Sequence, residues 1–176
     1  MSNERRYKVL TAVGRDRPGL VQRIAAAIHE AGANLEDSRM AILGGEFALI
    51  LLFSGTSDAV GGTIERARGL ETELKLRITF DDTSKGAPSA YLPYRLRVTG
   101  IDRPGIVANV TRVLAGRAIN VASLESRVQY APLSGTPLFV LSAELQVPSE
   151  VVLSTLRREL LAVCDDENLD FTLEGG

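Results

Sequence analysis

The sequence predicts an α+β protein built from two copies of one small unit, each an antiparallel sheet with two helices on one face. Three observations carry this. Gly14-Arg15-Asp16-Arg17-Pro18-Gly19-Leu20-Val21 returns as Gly100-Ile101-Asp102-Arg103-Pro104-Gly105-Ile106-Val107. Asn34-Leu35 follows the first copy at the same spacing as Asn120-Val121 follows the second, which marks an internal duplication. Within each half, apolar residues switch between strand and helix spacing in the order β-α-β-β-α-β.

Tyr7 to Val13 alternates and is rich in β-formers, so it reads as a strand ending at Gly14. Pro18 is expected to open a helix in which Leu20, Ile24, Ala27 and Ile28 share one face, with Gly32 placed to stop it. Leu35 to Leu43 reads as a charged edge strand, and Gly44-Gly45 as a hairpin turn, since both positions tolerate positive φ. Phe47 to Phe53 is apolar throughout, so a central strand covered on both faces is expected. Thr56-Ser57-Asp58 offers a cap for a helix through Val60, Ile64 and Ala67, which Gly61-Gly62 weakens. Leu74 to Phe80 is expected to close the unit.

The second half repeats the order. Leu96 and Val98 lie in its first strand, and Ile106, Val110, Val113 and Leu114 mark its first helix. Ala118 stands where Gly32 stood, so Gly116 is expected to end that helix. Ala131 to Pro137 forms a longer hairpin loop before a strand from Leu138 to Val147. Ser149 is then expected to cap a helix through Leu153, Leu156 and Leu160, and Leu169 to Leu173 closes the unit. The order is the ferredoxin-like arrangement. The expected boundaries are residues 1–82 for the first domain, 83–92 for a polar linker and 93–176 for the second.

In 176 residues, 45% apolar and 24% charged, the chain has the balance of a soluble globular protein. Each half is near the size at which one core is marginal, so a homo-oligomer is expected. A net charge of −2 and scattered arginine pairs (Arg5-Arg6, Arg157-Arg158) argue against direct nucleic-acid binding. One cysteine, Cys164, excludes an intramolecular disulfide and a cysteine metal cluster. With no signal-peptide pattern behind Met1 and no bilayer-length apolar run, the expectation is a cytoplasmic protein without membrane contact.

The duplicated loop is the chemical candidate. Asp16 and Asp102 can accept from the free N–H groups of the helix start, and Gly19 and Gly105 leave room for a close approach. A helix start of this kind presents free N–H donors and a positive dipole end, which suits a carboxylate. Asn34 and Asn120 can both donate and accept. Arg15, Arg17 and Arg103 are expected to be solvated, though an arginine beside the loop can pair with a carboxylate. A tight strand-to-helix turn accounts for the same residues without any ligand.

At these residues the chain resembles the ACT domain, a ferredoxin-like regulatory module whose pairs bind amino acids at their interfaces. Asp37-Ser38-Arg39-Met40-Ala41-Ile42-Leu43-Gly44-Gly45-Glu46-Phe47 is similar to the glycine cleavage system transcriptional repressor group, which consists of tandem ACT domains. The Asp-Arg-Pro-Gly loop also occurs in the ACT domains of formyltetrahydrofolate deformylase and phosphoserine phosphatase. The resemblance implies ligand-contact roles for Asp16, Gly19 and Asn34, and for Asp102, Gly105 and Asn120; the neighbouring Arg17, Leu20, Arg103 and Ile106 are expected ligand contacts beside them. It implies a small amino acid, glycine or serine, as ligand and a regulatory protein as partner. Ala118 and the long second hairpin depart from the first copy, so the second site is expected to be altered or used for contacts alone.

An enzyme needs a nucleophile, base or metal constellation. His29 is the only histidine, Cys164 reads as a core residue and Asp165-Asp166-Glu167 as a solvated turn. A deformylase or phosphatase would need a catalytic domain after Gly176. The expectation is a non-enzymatic sensor without cofactor or metal. The alternative is an oligomerisation or regulatory subunit that controls an enzyme without sensing a ligand.

Overall fold

The computed structural model describes residues 5–84, 90–131 and 135–176. The chain divides into two compact units, Met1–Ala87 and Pro88–Gly176. In the first, β1 (Arg6–Arg15), α1 (Leu20–Glu30), β2 (Asn34–Leu43), β3 (Glu46–Gly55), α2 (Ser57–Leu74) and β4 (Arg77–Thr83) follow one another. The second repeats them as β5 (Tyr91–Ile101), α3 (Ile106–Ala115), β6 (Asn120–Tyr130), β7 (Pro137–Pro148), α4 (Leu153–Glu167) and β8 (Leu169–Gly175). The strand orders are β2-β3-β1-β4 and β6-β7-β5-β8, with every pairing antiparallel. The tandem ferredoxin-like fold expected from the sequence is the one observed.

Each unit has its own core beneath its helices. Leu10, Phe47, Phe53, Ile24 and Ile28 are buried in the first, and Leu96, Leu141, Leu114, Leu156 and Leu160 in the second. Gly44 and Gly45, at φ 61 and 83, close the β2–β3 hairpin with Leu43 opposite Glu46. Thr56 caps α2 by accepting from the Ala59 N–H at 3.2 Å.

Several expectations need correction. Pro18 does not open α1. Gly19 is the N-cap at φ 94, a left-handed conformation, and the helix begins after it at Leu20. Phe47 to Phe53 is central but covered on one face only. Phe47, Leu49, Leu51 and Phe53 lie under the helices, while Ile50, on the opposite face, is 49% exposed. A two-layer unit with both helices on one side leaves the other side of its sheet open. In the second unit that open face carries Arg95, Arg97, Ser142 and Glu144 instead.

The fourth strand starts later than expected. Leu74 belongs to α2, one turn after Leu70, and Lys75 at φ 50 ends the helix. The strand then runs past Phe80 to Thr83, the first residue of the expected linker, and β5 begins at Tyr91, still inside that linker; Asp82 pairs with Lys8 at 2.8 Å. An edge strand tolerates such polar residues. Residues 85–89 of the expected linker lie outside the described residues, as do residues 132–134 of the long hairpin loop.

Ser149 does not cap α4. It sits in the turn closed by the Val151 N–H on the Pro148 carbonyl, and Val152 occupies the N-cap with no side-chain bond. Asp165, Asp166 and Glu167 form the end of α4 rather than a turn. Gly116 is the C-cap of α3, but in a right-handed conformation. The left-handed residue is Ala118 at φ 53, matching Gly32 at φ 77.

Candidate functional site

The duplicated loop has the same geometry in both units. The Asp16 N–H donates to the Gly45 carbonyl at 3.0 Å, and the Asp102 N–H to the Pro137 carbonyl at 3.2 Å. Both loops are thereby tied to the start of the neighbouring strand. The Arg23 and Asn109 N–H groups make the first helical bonds, to the Gly19 and Gly105 carbonyls at 3.0 and 2.9 Å. Neither helix start has a side-chain cap, so the expected Asp16 and Asp102 caps do not form. In both units the N-cap position is taken by a left-handed glycine, which has no side chain to offer the helix start.

Around the first loop lies an open cleft lined by Asp16, Arg17, Gly19, Gln22, Met40 and Phe47. Asp16 and Arg17 are exposed, and the described residues offer their side chains no hydrogen bond. Leu20 and Ile106 are 3% and 2% exposed as whole residues, and their side chains belong to the two cores. Beside this cleft, the Arg23 guanidinium of α1 bonds Glu73 of α2 at 2.7 Å. That hydrogen bond, with smaller help from the Arg23 and Arg17 charges, holds the Glu73 carboxyl below its usual range.

Asn34 is not part of this cleft. It starts β2 opposite Ser54, at the far end of α1 from Gly19. An eleven-residue helix separates the two, a span of roughly 16 Å. Within one unit, then, one small amino acid does not touch both Gly19 and Asn34, and Gly105 and Asn120 are separated in the same way.

The Asn34 end holds a polar cluster that sequence reasoning missed. A second cleft is lined there by Arg5, Gly32, Asn34, Ser54, Gly55 and Thr56. Register shifts between Leu35 and Asp37, leaving Glu36 outside the regular pairing. One oxygen of Glu36, Oε1, accepts from Arg5 Nη2 at 3.1 Å, Asn34 Nδ2 at 3.0 Å and Ser54 Oγ at 2.5 Å. Arg5 Nε donates to Ser54 Oγ at 2.8 Å, and Ser54 is fully buried. A serine closing an apolar strand and a glutamate at a bulge gave no signal in the sequence, because a bulge has no signature of its own here.

The second unit keeps the asparagine and the bulge but not the charges. Asn120 Nδ2 donates to Gln146 Oε1 at 2.7 Å, and the register shifts between Val121 and Ser123, around Ala122. By strand register, Tyr91 stands where Arg5 stands in the first unit.

His29 is exposed in the last turn of α1. Cys164 is fully buried, and burial raises its thiol from the usual 9.0 to about 11, so it is a poor nucleophile. Among the described residues no group of His, Cys, Asp and Glu side chains could hold a metal ion, and no helix is long and apolar enough to cross a membrane.

Two family models, both described as ACT domain, match this chain, one over residues 6–81 and the other over residues 94–161. The chain is similar to the glycine cleavage system transcriptional repressor of Escherichia coli (strain K12), 31% identical over 92% of this chain and 86% of the relative. Among solved structures it is similar to a protein of Galdieria sulphuraria described as unknown, with TM-score 0.85 and 32% identity over 98% of this chain and 99% of that one. It is also similar to a solved candidate glycine cleavage system transcriptional repressor, with TM-score 0.73 and 27% identity over 98% of both chains.

Proposed function

The chain belongs to the ACT-domain family as a tandem pair, and from that premise we propose that it is a non-enzymatic, cytoplasmic regulator that senses a small amino acid. Glycine is the first candidate ligand and serine the second. The observation that carries the reading is the likeness to a glycine cleavage system transcriptional repressor along nearly the whole of both chains. Ligand contacts are proposed at the two ends of the first helix in the first unit. One end offers Asp16, Arg17, Gly19 and the Leu20 backbone, and Asn34 stands at the other. Their counterparts in the second unit, Asp102, Arg103, Gly105, the Ile106 backbone and Asn120, are proposed as an altered site or as contacts alone.

Control of transcription is proposed to run through a protein partner. Two sheets with exposed acidic and basic residues side by side, on a chain of net charge −2, make a poor electrostatic match for phosphate. Binding changes the protein's output only by differential affinity for two states, so ligand and partner should be thermodynamically coupled.

The test is isothermal titration of the purified chain with glycine, serine and a wider amino-acid panel. Saturable heat from one of them is expected. No heat from any, in a chain shown to be folded by circular dichroism, would leave the oligomerisation or regulatory-subunit reading. Tight binding of DNA by the purified chain alone would remove the need for a protein partner.

A further inference from the structure

We propose that the cleft around Asn34 in the first unit recognises the backbone zwitterion of a free α-amino acid, with Arg5 receiving its carboxylate and Glu36 its ammonium, and that the second unit has no equivalent site. The proposal rests on the sensing reading above and assigns it to particular side chains.

An α-amino acid carries two opposite charges a few bonds apart, so its receptor needs a cation and an anion at matching separation. Arg5 and Glu36 supply that pair, 3.1 Å apart. Their side chains remain 54% and 29% exposed, so both are reachable from solvent. A guanidinium has more N–H donors than the two bonds made to Ser54 and Glu36 use. It can therefore hold Glu36 and still present donors to a carboxylate.

The pair is also fixed in advance. Buried Ser54 bonds both charged groups, and Asn34 bonds Glu36. Little side-chain freedom is left to lose on binding. Asp16 and Arg17 at the opposite end of α1 lack such support. Gly32 and Gly55 form part of the lining and add no side chain, which favours a small ligand.

The comparison between the two units sharpens the assignment. The Asp-Arg-Pro-Gly loop is present in both, so a loop-based site predicts two bound ligands per chain. The Arg5–Glu36 pair is present once, since Tyr91 and Ala122 replace it in the second unit. A cleft-based site predicts one.

The experiment is titration of the full-length chain with glycine and serine, following affinity and stoichiometry. The variants are Arg5→Gln, Glu36→Gln and, as a control at the matching place in the second unit, Tyr91→Gln. Glu36→Gln keeps an acceptor for Ser54 and Asn34, and circular dichroism melts establish that each variant is folded. The expected result is one site per chain, weakened by at least about tenfold in Arg5→Gln and Glu36→Gln and unchanged in Tyr91→Gln. Acetate and methylamine, each carrying one of glycine's charges, are expected not to compete. Binding that survives both first-unit variants would overturn this cleft while leaving the sensor reading intact, as would two equal sites per chain. Absence of binding in the folded wild-type chain would overturn both.

Discussion

Gly14 and Gly100 show how much a single missing side chain can decide. An ideal Cβ on Gly14 would stand 2.8 Å from Leu76 Cδ2 and 3.0 Å from the Lys75 carbonyl oxygen. At Gly100 it would collide with Leu169 Cδ2 and lie 3.0 Å from the Asn168 carbonyl oxygen. A carbonyl fixed by a helix end cannot move aside cheaply. Gly14→Ala and Gly100→Ala are each expected to destabilise their own unit by about 1–3 kcal/mol, read from urea midpoints. The sequence marked Gly14 only as a strand end and Gly100 only as part of the duplicated loop, since the chain segment packed above each lies far away in sequence. Gly19 and Gly105 have another cause, a positive φ, while the space around them is open or nearly so. Ala118 holds such a conformation without being glycine. Because it is exposed at φ 53, Ala118→Gly is expected to stabilise the second unit by up to about 1 kcal/mol.

Among the elements, those with a strong local signal were legible. The α1 and α3 faces, the Gly44-Gly45 hairpin and the Thr56 cap could all be read from spacing and turn chemistry. Their limits were set by contacts the sequence does not display. Leu74 fits a strand alternation as well as a helix face, and only packing against Leu70's side of α2 decides for the helix. The apolar run at β3 suggested two covered faces because hydrophobicity alone does not say whether a second layer exists. The helix starts offer a direct test. Thr56 caps α2 and Val152 leaves α4 uncapped. Thr56→Ala is expected to cost the first unit about 1 kcal/mol, and Val152→Asp to stabilise the second by roughly 0.5–1 kcal/mol, both by denaturant titration. The candidate site follows the same division. Its loop residues stood out because they are duplicated, whereas Arg5, Glu36 and Ser54 come from three strands or strand ends and converge only after folding.

At the scale of the whole molecule, two cores built from separate residues make up the chain. We expect chains covering 1–87 and 88–176 to fold separately, each melting in one cooperative step by circular dichroism; a half that stays unfolded alone would show that its core depends on the other. The strand order carries a consequence for biosynthesis. β1 leaves the ribosome first yet ends up between β3 and β4, the latter pairing only with β1. The first sheet therefore stays incomplete until Thr83 has emerged, and the next strand to appear is β5, a near-copy of β1 in length and place. A nascent β3 could accept either. What separates them is the side of each strand turned away from the helices, where Val9 and Thr11 match Leu52 and Ile50 while Arg95 and Arg97 match Glu144 and Ser142. The divergence of the two copies is expected to disfavour the wrong pairing during translation, a safeguard that two identical repeats would lack.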